Sequence, residues 1–323
     1  MKKIFFLFLL FVVIAAYVNP SFENDLYYER NFSDFFKWRL QESERFWPEW
    51  VEINTLDALP KMQTDTQIIY INHSTFLIRT GDYNILIDPI FSDYASPVSF
   101  AGPKRVHFPV LEYHLLPKID FVLLTHNHYD HMDLTTLKNL YVDFNPTFIV
   151  GSRNGFYLKQ KLNFNINAKE LHWGESAQYP NLNIYFEESQ HWSKRGLFDT
   201  NKTLWGSFVI QSNDKNIYHS GDSGYSDHYK EIGEKFESFN FVMLPIGAYL
   251  PRWFMKFSHL DSNEAMQAYI DLNAEAGVAM HFNTFALGDD DFYEVRNYFN
   301  REREKFKLDN FYIPINDFVF DVY

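Results

Sequence analysis

The amino-acid sequence predicts an α/β protein, with one sandwich-like domain after a short N-terminal arm. The chain has 323 residues, of which 46% are hydrophobic, so it can bury a full core without disulfide bonds. Short apolar runs typical of strands mix with amphipathic helical segments, without strict alternation of the two. The sequence contains no internal repeat and no low-complexity linker. These observations favour a single mixed domain.

The composition excludes several functional classes. Lys and Arg number 29 against 42 Asp and Glu, and the resulting net charge of -13 repels phosphate backbones, so we expect no nucleic-acid partner. The absence of cysteine excludes disulfides, iron–sulfur clusters, thiolate zinc sites and cysteine nucleophiles. The 12 histidines and the carboxylates are therefore the strong metal ligands that remain.

Residues 1–22 are predicted to direct the chain to a membrane. Lys2 and Lys3 precede an uncharged apolar run over residues 4–18, the pattern of a signal peptide. That run is shorter than the ~20 residues that cross a bilayer, although the next charge is Glu23. A cleaved signal peptide and an N-terminal membrane anchor both remain open. Either one predicts an exported body, which is membrane-anchored, periplasmic or extracellular.

Residues 23–59 form the predicted arm, and residues 60–323 form the predicted domain. The arm is rich in aromatic and charged residues, so we expect it to pack on the body. In the domain, apolar runs split by turn residues predict strands, and longer amphipathic runs predict helices. The strand candidates are 68–71, 75–79, 85–87, 121–124, 147–150, 184–186, 204–210, 217–218, 241–244 and 278–280, and the helix candidates are 134–140, 229–236, 263–272 and 292–306.

The strongest functional signal follows the predicted strand 121–124. Four potential metal ligands, His126, His128, Asp130 and His131, lie within six positions. Side chains two apart point to the same side of an extended chain, so His126 and His128 can face one ion. Asp130 and His131 are adjacent, so the chain must turn there before the helical pattern begins. The arrangement predicts a second ion beside the first.

Further ligands are expected at later strand ends, because each ion needs at least three protein ligands while one position stays open for water. His191, Asp222 and His281 follow predicted strands. Asp222 lies between Gly221 and Gly224, which allow a close approach or a sharp turn of the backbone. As a carboxylate, Asp222 can bridge two ions.

At these residues the chain resembles the metallo-β-lactamase superfamily, whose signature is H-x-H-x-D-H followed by separated His, Asp and His. More narrowly, it is similar to the branch of phospholipases D that hydrolyse N-acylphosphatidylethanolamine. The resemblance covers about residues 60–290. Besides the H-x-H-x-D-H motif, the segments that match this branch are residues 87–92, 95–97, 101–105, 190–192, 204–207, 221–225, 245–249 and 251–255.

The resemblance implies an αββα sandwich with two Zn²⁺ ions per chain at one edge. The implied ligands fall into two sets with one shared residue: His126, His128 and His191 for one ion, Asp130, His131 and His281 for the other, and Asp222 for both. Asn72-His73-Ser74 and Phe282-Asn283 depart from the Gly-His-Ala and Trp-Gly that are usual in the family. Neither departure removes a ligand, but both can alter the pocket.

The implied reaction is hydrolysis of N-acylphosphatidylethanolamine-type phospholipids to phosphatidic acid and N-acylethanolamine, by a hydroxide that bridges the metals. Its catalytic residues would be Asp130, Asp222 and His259, the last matching a family histidine near the substrate headgroup. Two other functions remain open: a hydrolase of the same fold acting on a smaller phosphodiester or lactone, and a membrane-tethered metal-binding protein without catalysis. The sequence carries no signal for an oligomeric state.

A Pro-containing segment just before His259 carries large apolar residues where a loop is expected. We predict that Leu250, Trp253, Phe254 and Met255 belong to an apolar lip that contacts phospholipid at a membrane surface. The alternative is that they fill the sandwich core. Membrane contact by an acidic protein has to come from apolar and aromatic groups.

Overall fold

The computed structural model describes residues 21–24, 32–41, 43, 45–314 and 318–323. The predicted signal peptide or anchor lies outside the described residues, except for Ser21 and Phe22. In the part of the chain that is described, every helix is too short or too polar to serve as a membrane span.

Two sheets and seven helices make up the described structure. The strands are β1 (Thr66–Asn72), β2 (Thr75–Thr80), β3 (Tyr83–Ile87), β4 (Phe121–Leu124), β5 (Thr147–Gly151), β6 (Ala168–Leu171), β7 (Glu175–Tyr179), β8 (Leu182–Glu187), β9 (Ser207–Ser212), β10 (Lys215–His219), β11 (Phe241–Pro245), β12 (Gly277–Met280), β13 (Phe311–Tyr312) and β14 (Val319–Asp321). The helices are α1 (Phe32–Leu40), α2 (Leu134–Phe144), α3 (Asn154–Leu162), α4 (His228–Phe236), α5 (Arg252–Met255), α6 (Ser262–Asp271) and α7 (Glu294–Phe306).

Each sheet is half antiparallel and half parallel. The first has the order β14-β1-β2-β3-β4-β5-β6, and the second has the order β13-β12-β11-β10-β9-β8-β7. The strands from β3 to β6 run parallel, as do those from β10 to β13. Because parallel strands end at the same edge of a sheet, the segments that follow β3 and β4, and those that follow β10 to β12, collect at shared edges.

Both faces of each sheet are covered, which gives four layers. Along β1, Ile68 and Tyr70 point into the core between the sheets, while Ile69 and Ile71 point into the layer under α2 and α3. This alternation is the two-residue period of a strand that is buried on both sides. On the second sheet, α4, α6 and α7 cover the outer face. The αββα sandwich expected from the sequence is therefore confirmed.

The described part of residues 23–59 runs along the surface of the sandwich. The Trp38 Nε1–H of α1 donates to Asp289 Oδ2 at 2.7 Å, and its ring stacks on Phe254 with centroids 5.2 Å apart. Further along, the backbone N–H groups of Val51 and Leu56 donate to carbonyl oxygens of the domain at 2.6 and 2.7 Å. The segment therefore adds side chains to the surface of the domain on which it lies.

Candidate metal centre

The loop between β4 and α2 is held at both ends by carboxylates. At its start, Asp88 accepts from the N–H and the hydroxyl of Thr125, at 2.8 and 2.6 Å. At its end, Asp133 caps α2 and accepts from Thr135 N–H at 3.1 Å and from the Thr136 hydroxyl at 2.6 Å. The turn predicted from the adjacent Asp and His of H-x-H-x-D-H is thereby fixed in shape.

One group of side chains on this loop meets two distant residues. Nε2 of His126 lies 2.9 Å from Nδ1 of His128, which in turn lies 3.3 Å from Nε2 of His191. Oδ2 of Asp222 lies 3.9 and 3.8 Å from Nε2 of His126 and His191. The four potential ligand atoms all lie within 4.8 Å of one another. The residues assigned to the first ion are therefore close enough to share one.

A second group lies on the other side of Asp222. Oδ2 of Asp130 lies 3.2 Å from Nε2 of both His131 and His281, and 3.0 Å from Nε2 of His73. This group contains all three residues assigned to the second ion, together with His73, which was not predicted. All four side chains are buried.

Asp222 lies between the two groups, as expected for a shared ligand. Its Oδ1 is 3.3 Å from His131 Nε2, and its Oδ2 is 3.0 Å from His281 Nε2. Its Oδ2 also lies 3.9 Å from Nδ1 of His259. Glycine at position 221 is required here, because its φ is +59° and a Cβ would lie 2.8 Å from Thr125 and 2.9 Å from a carbonyl oxygen.

Several of these histidines are oriented by a hydrogen bond at Nδ1, the ring nitrogen that points away from the centre. His131 Nδ1–H donates to Asp88 at 2.7 Å, and His191 Nδ1–H donates to the carbonyl oxygen of Ser258 at 3.0 Å. Nδ1 of His126 lies 2.9 Å from the Thr125 hydroxyl. In each case Nε2 points to the centre, the arrangement by which proteins orient metal-binding imidazoles.

The centre concentrates opposite charges away from water. Burial alone would raise the pKa of Asp130 and Asp222, but the neighbouring histidines hold both pKa values well below the usual range. Burial would lower the pKa of His281, but Asp222 and Asp130 outweigh it and raise that pKa to about 9. The pKa of His73 falls to about 4, first through burial and then through the charge of His281. The two carboxylates therefore require cations beside them.

The donor set fits metal ions. It consists of imidazole nitrogens and carboxylate oxygens that converge in a buried space, as in known transition-metal sites. His131 Nε2 and Asp222 Oδ1 are buried without a hydrogen bond, although each lies beside an opposite charge. A polar atom in this situation is costly unless an ion or another strong partner satisfies it. The His/Asp cluster is accordingly suitable for metal binding.

Three residues around the centre were missed by the sequence analysis. His73 and Asp88 follow β1 and β3, so the strand-end rule that identified the other ligands could have found them. Arg195 had no such signal. Its guanidinium donates to the carbonyl oxygens of Asn127 and Met132 at 3.0 and 2.6 Å, and so holds the ligand loop from outside.

The two groups open into one cavity of about 630 Å³, which His259 also lines. Phe254 and Met255 of the predicted lip form part of its wall. The other two residues of the predicted lip, Leu250 and Trp253, do not line this cavity. Leu250 packs against the core under the second sheet, and Trp253 packs against Phe254.

Residues of α1 join the apolar part of the cavity wall. Phe35 and Trp38 line the cavity together with Phe254, Met255 and Phe257. The arm that precedes the domain in sequence therefore contributes to the site.

Comparison with known proteins places this site in a family. A family model described as a beta-lactamase superfamily domain matches residues 83–282. An N-acyl-phosphatidylethanolamine-hydrolyzing phospholipase D from Caenorhabditis elegans is 33% identical over 234 residues, which are 69% of this chain and 65% of the worm protein. The mitochondrial enzyme of that name from Saccharomyces cerevisiae is 36% identical over 237 residues, which are 69% of this chain and 50% of the yeast protein.

The chain thus spans about two thirds of the worm relative and half of the yeast relative. Among solved structures, Igni18, a metallo hydrolase from the archaeon Ignicoccus hospitalis, superimposes with a TM-score of 0.60 at 23% identity, over 79% of this chain and 97% of Igni18. The fold, the ligand motif and the family model agree. The chain belongs to the metallo-β-lactamase superfamily.

Proposed function

We propose that the protein is a zinc-dependent phosphodiesterase that hydrolyses N-acylphosphatidylethanolamine-type phospholipids to phosphatidic acid and N-acylethanolamine. The observation that carries the proposal is a single cavity in which two adjoining His/Asp groups face an apolar wall. A phospholipid has the same division between an ionic phosphodiester and apolar acyl chains. The names of the worm and yeast relatives support this substrate class.

The residues that would hold the two zinc ions form the two sets described above, with Asp222 common to both: His126, His128 and His191 in one set, and Asp130, His131 and His281 in the other. When bound, such a pair of ions makes a water molecule acidic and neutralises the charge of the phosphoryl oxygens, which supplies both requirements of hydrolysis. His73 and Asp88 would orient Asp130 and His131 through hydrogen bonds of 3.0 and 2.7 Å.

His259 is the proposed donor of the proton to the leaving oxygen. It lines the same cavity, and its Nδ1 lies 3.9 Å from Asp222 Oδ2. Its backbone is fixed, because its N–H donates to the Met255 carbonyl at 3.0 Å and its own carbonyl accepts from Arg252 at 2.9 Å. A general acid needs such a fixed position within reach of the reacting atoms.

We also propose that the chain is exported and acts at a membrane surface, either anchored or free outside the cytoplasm. The apolar run over residues 4–18 after two lysines supports this in the sequence. In the folded body, Leu197 and Phe198 support it, because they are 83% and 93% exposed in the loop that follows His191. Large apolar side chains at a loop tip are suited to insertion between lipid headgroups.

A substrate panel with zinc-loaded protein tests the proposed function. We expect the highest kcat/KM on vesicles that contain N-acylphosphatidylethanolamine, with activity lost to a chelator and restored by zinc. Preference for a water-soluble phosphodiester or a lactone would favour the smaller-substrate alternative. Full metal content without turnover of any of the three would favour a metal-binding protein without catalysis.

Hydrolysis in isotopically labelled water tests the site of bond cleavage. In attack at phosphorus the water oxygen forms the new P–O bond and the P–O bond to the leaving alcohol breaks, so the label is found in phosphatidic acid and the N-acylethanolamine keeps its own oxygen. Label in the N-acylethanolamine would mean that the carbon–oxygen bond is cleaved, and it would contradict the proposed chemistry.

A further inference from the structure

One positively charged side chain lines the cavity and belongs to neither of the proposed ligand sets. Lys194 is the one Lys or Arg side chain among the described residues that line the cavity, and it is half-buried. None of the ion pairs in the described part of the chain involves the ammonium group of Lys194. A partly desolvated ammonium without a carboxylate beside it favours a ligand of negative charge.

The backbone around Lys194 is held in place by the loop that contains it. Just before it, the Ser193 hydroxyl donates to the Thr203 carbonyl at 2.6 Å, and Ser193 and Asn201 exchange two further hydrogen bonds of 3.1 and 2.7 Å. Just after it, the N–H groups of Arg195 and Gly196 donate to the carboxylate of Asp199, at 3.1 and 2.7 Å. Lys194 is therefore presented at a fixed place three residues after His191.

The lining of the cavity combines apolar and polar side chains. Trp38, Phe254 and Met255 form an apolar cluster in it, whereas Gln190, Lys194, Thr200 and Asn201 are polar. The same cavity is lined by members of both His/Asp groups. A ligand with an anionic group and an apolar part therefore matches the chemistry of this lining.

We propose that Lys194 binds an anionic oxygen of the phosphate group in the substrate and thereby selects phosphate esters over neutral esters. This inference rests on the proposed function, because it names the residue that recognises the proposed phosphodiester. Lysine acts here as a compact charge whose three donors reach phosphate oxygens from several directions. The same chemistry would bind free phosphate as well as a phospholipid headgroup.

Binding measurements test this assignment without reference to turnover. In zinc-loaded protein, Lys194→Met should weaken the binding of inorganic phosphate and of a short-chain phosphatidic acid by about tenfold or more in calorimetry, whereas Lys194→Arg should retain most of the affinity. Lys256→Met is the matched control, since Lys256 is exposed and lies over the ring of Phe257 at 4.7 Å. Unchanged metal content and Tm would exclude misfolding of the variants.

The two probes distinguish the source of the phosphate. Loss of affinity for both probes supports a site for the phosphate group itself, and a larger loss for phosphatidic acid supports a lipid headgroup. Equal affinity of the wild type and Lys194→Met for both probes would overturn the assignment, as would an equal loss in Lys256→Met.

A kinetic comparison separates this inference from the proposed function. On a soluble phosphodiester, Lys194→Met should raise KM about tenfold, while turnover of a neutral ester stays within about twofold of the wild type. Equal loss on both substrates would overturn the selective role. If the wild type hydrolyses no phosphodiester yet binds phosphate through Lys194, the proposed function fails and the anion site stands.

Discussion

Asp222 is the residue at which the two groups of the metal centre meet, since its two oxygens lie 3.3 and 3.0 Å from His131 and His281. We predict that Asp222→Ala lowers the occupancy of both metal sites. His191→Ala should lower mainly one, because His191 belongs only to the group with His126 and His128. Elemental analysis of purified variants measures this difference. Near-normal metal content in Asp222→Ala would contradict the shared role.

Arg195 is predicted to maintain the metal centre without contacting an ion. Its NH1 group donates to three carbonyl oxygens of the loop, those of Asn127, His128 and Met132, at 3.0, 3.4 and 2.6 Å. The guanidinium also lies over the ring of Tyr129 at 4.1 Å, and a lysine ammonium cannot reproduce this planar stacking. We expect Arg195→Lys to lower metal affinity by about 10–100-fold, as loss of an outer hydrogen bond does in other metal sites.

Competition with a chelating dye measures the affinity of Arg195→Lys. Arg301→Lys is the matched control, because Arg301 is exposed and pairs with Glu294 at 2.6 Å. Equal affinities of the wild type and both variants would show that the loop keeps its shape without the Arg195 guanidinium.

His228 is predicted to make the fold sensitive to acid. Burial lowers its pKa to about 3, and its ring nitrogens lie 3.3 and 2.6 Å from the hydroxyls of Ser223 and Ser226. Below about pH 6.5, His228 therefore binds a proton in the unfolded chain but stays neutral in the folded protein. Stability that is fully present above about pH 6.5 is then lost as the pH falls toward 3.

His228→Asn removes this titration while keeping a polar side chain. Between about pH 7.5 and pH 5, the free energy of unfolding should fall by about 2 kcal/mol less in the variant than in the wild type. Denaturant unfolding at both pH values measures the two changes. An equal fall in both proteins would place the acid sensitivity elsewhere, for example at His107, whose pKa burial lowers to about 4.

At the level of elements, the loop over residues 193–203 carries the most exposed large apolar side chains beside the cavity. Leu197 and Phe198 make no core contact that their removal would break, as they are 83% and 93% exposed. We predict that changing both to Ser lowers turnover on vesicles by about tenfold, which corresponds to about 1.4 kcal/mol of lost insertion. Turnover of a soluble phosphodiester and the Tm should change little.

The control for this pair is Phe156→Ser, which replaces a phenylalanine that is 64% exposed on α3. A similar loss on vesicles in the control, or an equal loss on both substrates in the double variant, would contradict a role of the loop in membrane contact.

The elements that were predicted correctly are those whose own residues form an apolar run or an amphipathic helical pattern. Strands β1 to β5 and β8 to β12, and helices α2, α4, α6 and α7, overlap the predicted ranges, although the strand predicted over residues 204–210 begins only at Ser207. By contrast, β6 and β7 were not predicted, because they are partly exposed and carry few apolar residues. Their strand geometry depends on pairing with β5 and β8, which the local sequence does not reveal.

For the whole molecule, metal binding should contribute to stability. The carboxylates of Asp130 and Asp222 are buried beside histidines that hold their pKa values low. Ions that bind only the folded state stabilise it by about 4 kcal/mol at a concentration 1,000 times their Kd. We predict that a chelator lowers the Tm by several degrees and that zinc restores it. A Tm that does not respond to either would contradict a resident metal centre.

The sequence alone determined the sandwich class, the family and seven of the residues that converge at the centre. It could do so because a strand end is a local feature, and H-x-H-x-D-H places four potential ligands in one short loop. The three distant members, His191, Asp222 and His281, likewise follow predicted strands, and the need of each ion for at least three protein ligands predicted that they join the loop.

Tertiary structure decided which other residues reach that centre. His73 joins Asp130 across 57 positions of sequence, Arg195 holds the ligand loop across 63, and Trp38 of the arm stacks on Phe254. The large apolar residues between Leu250 and Met255 divide between the core and the cavity wall, although all four were predicted to form one lip. These contacts depend on how the sheets, the loops and the arm pack in space, because apolar character alone does not specify which surface a side chain will meet.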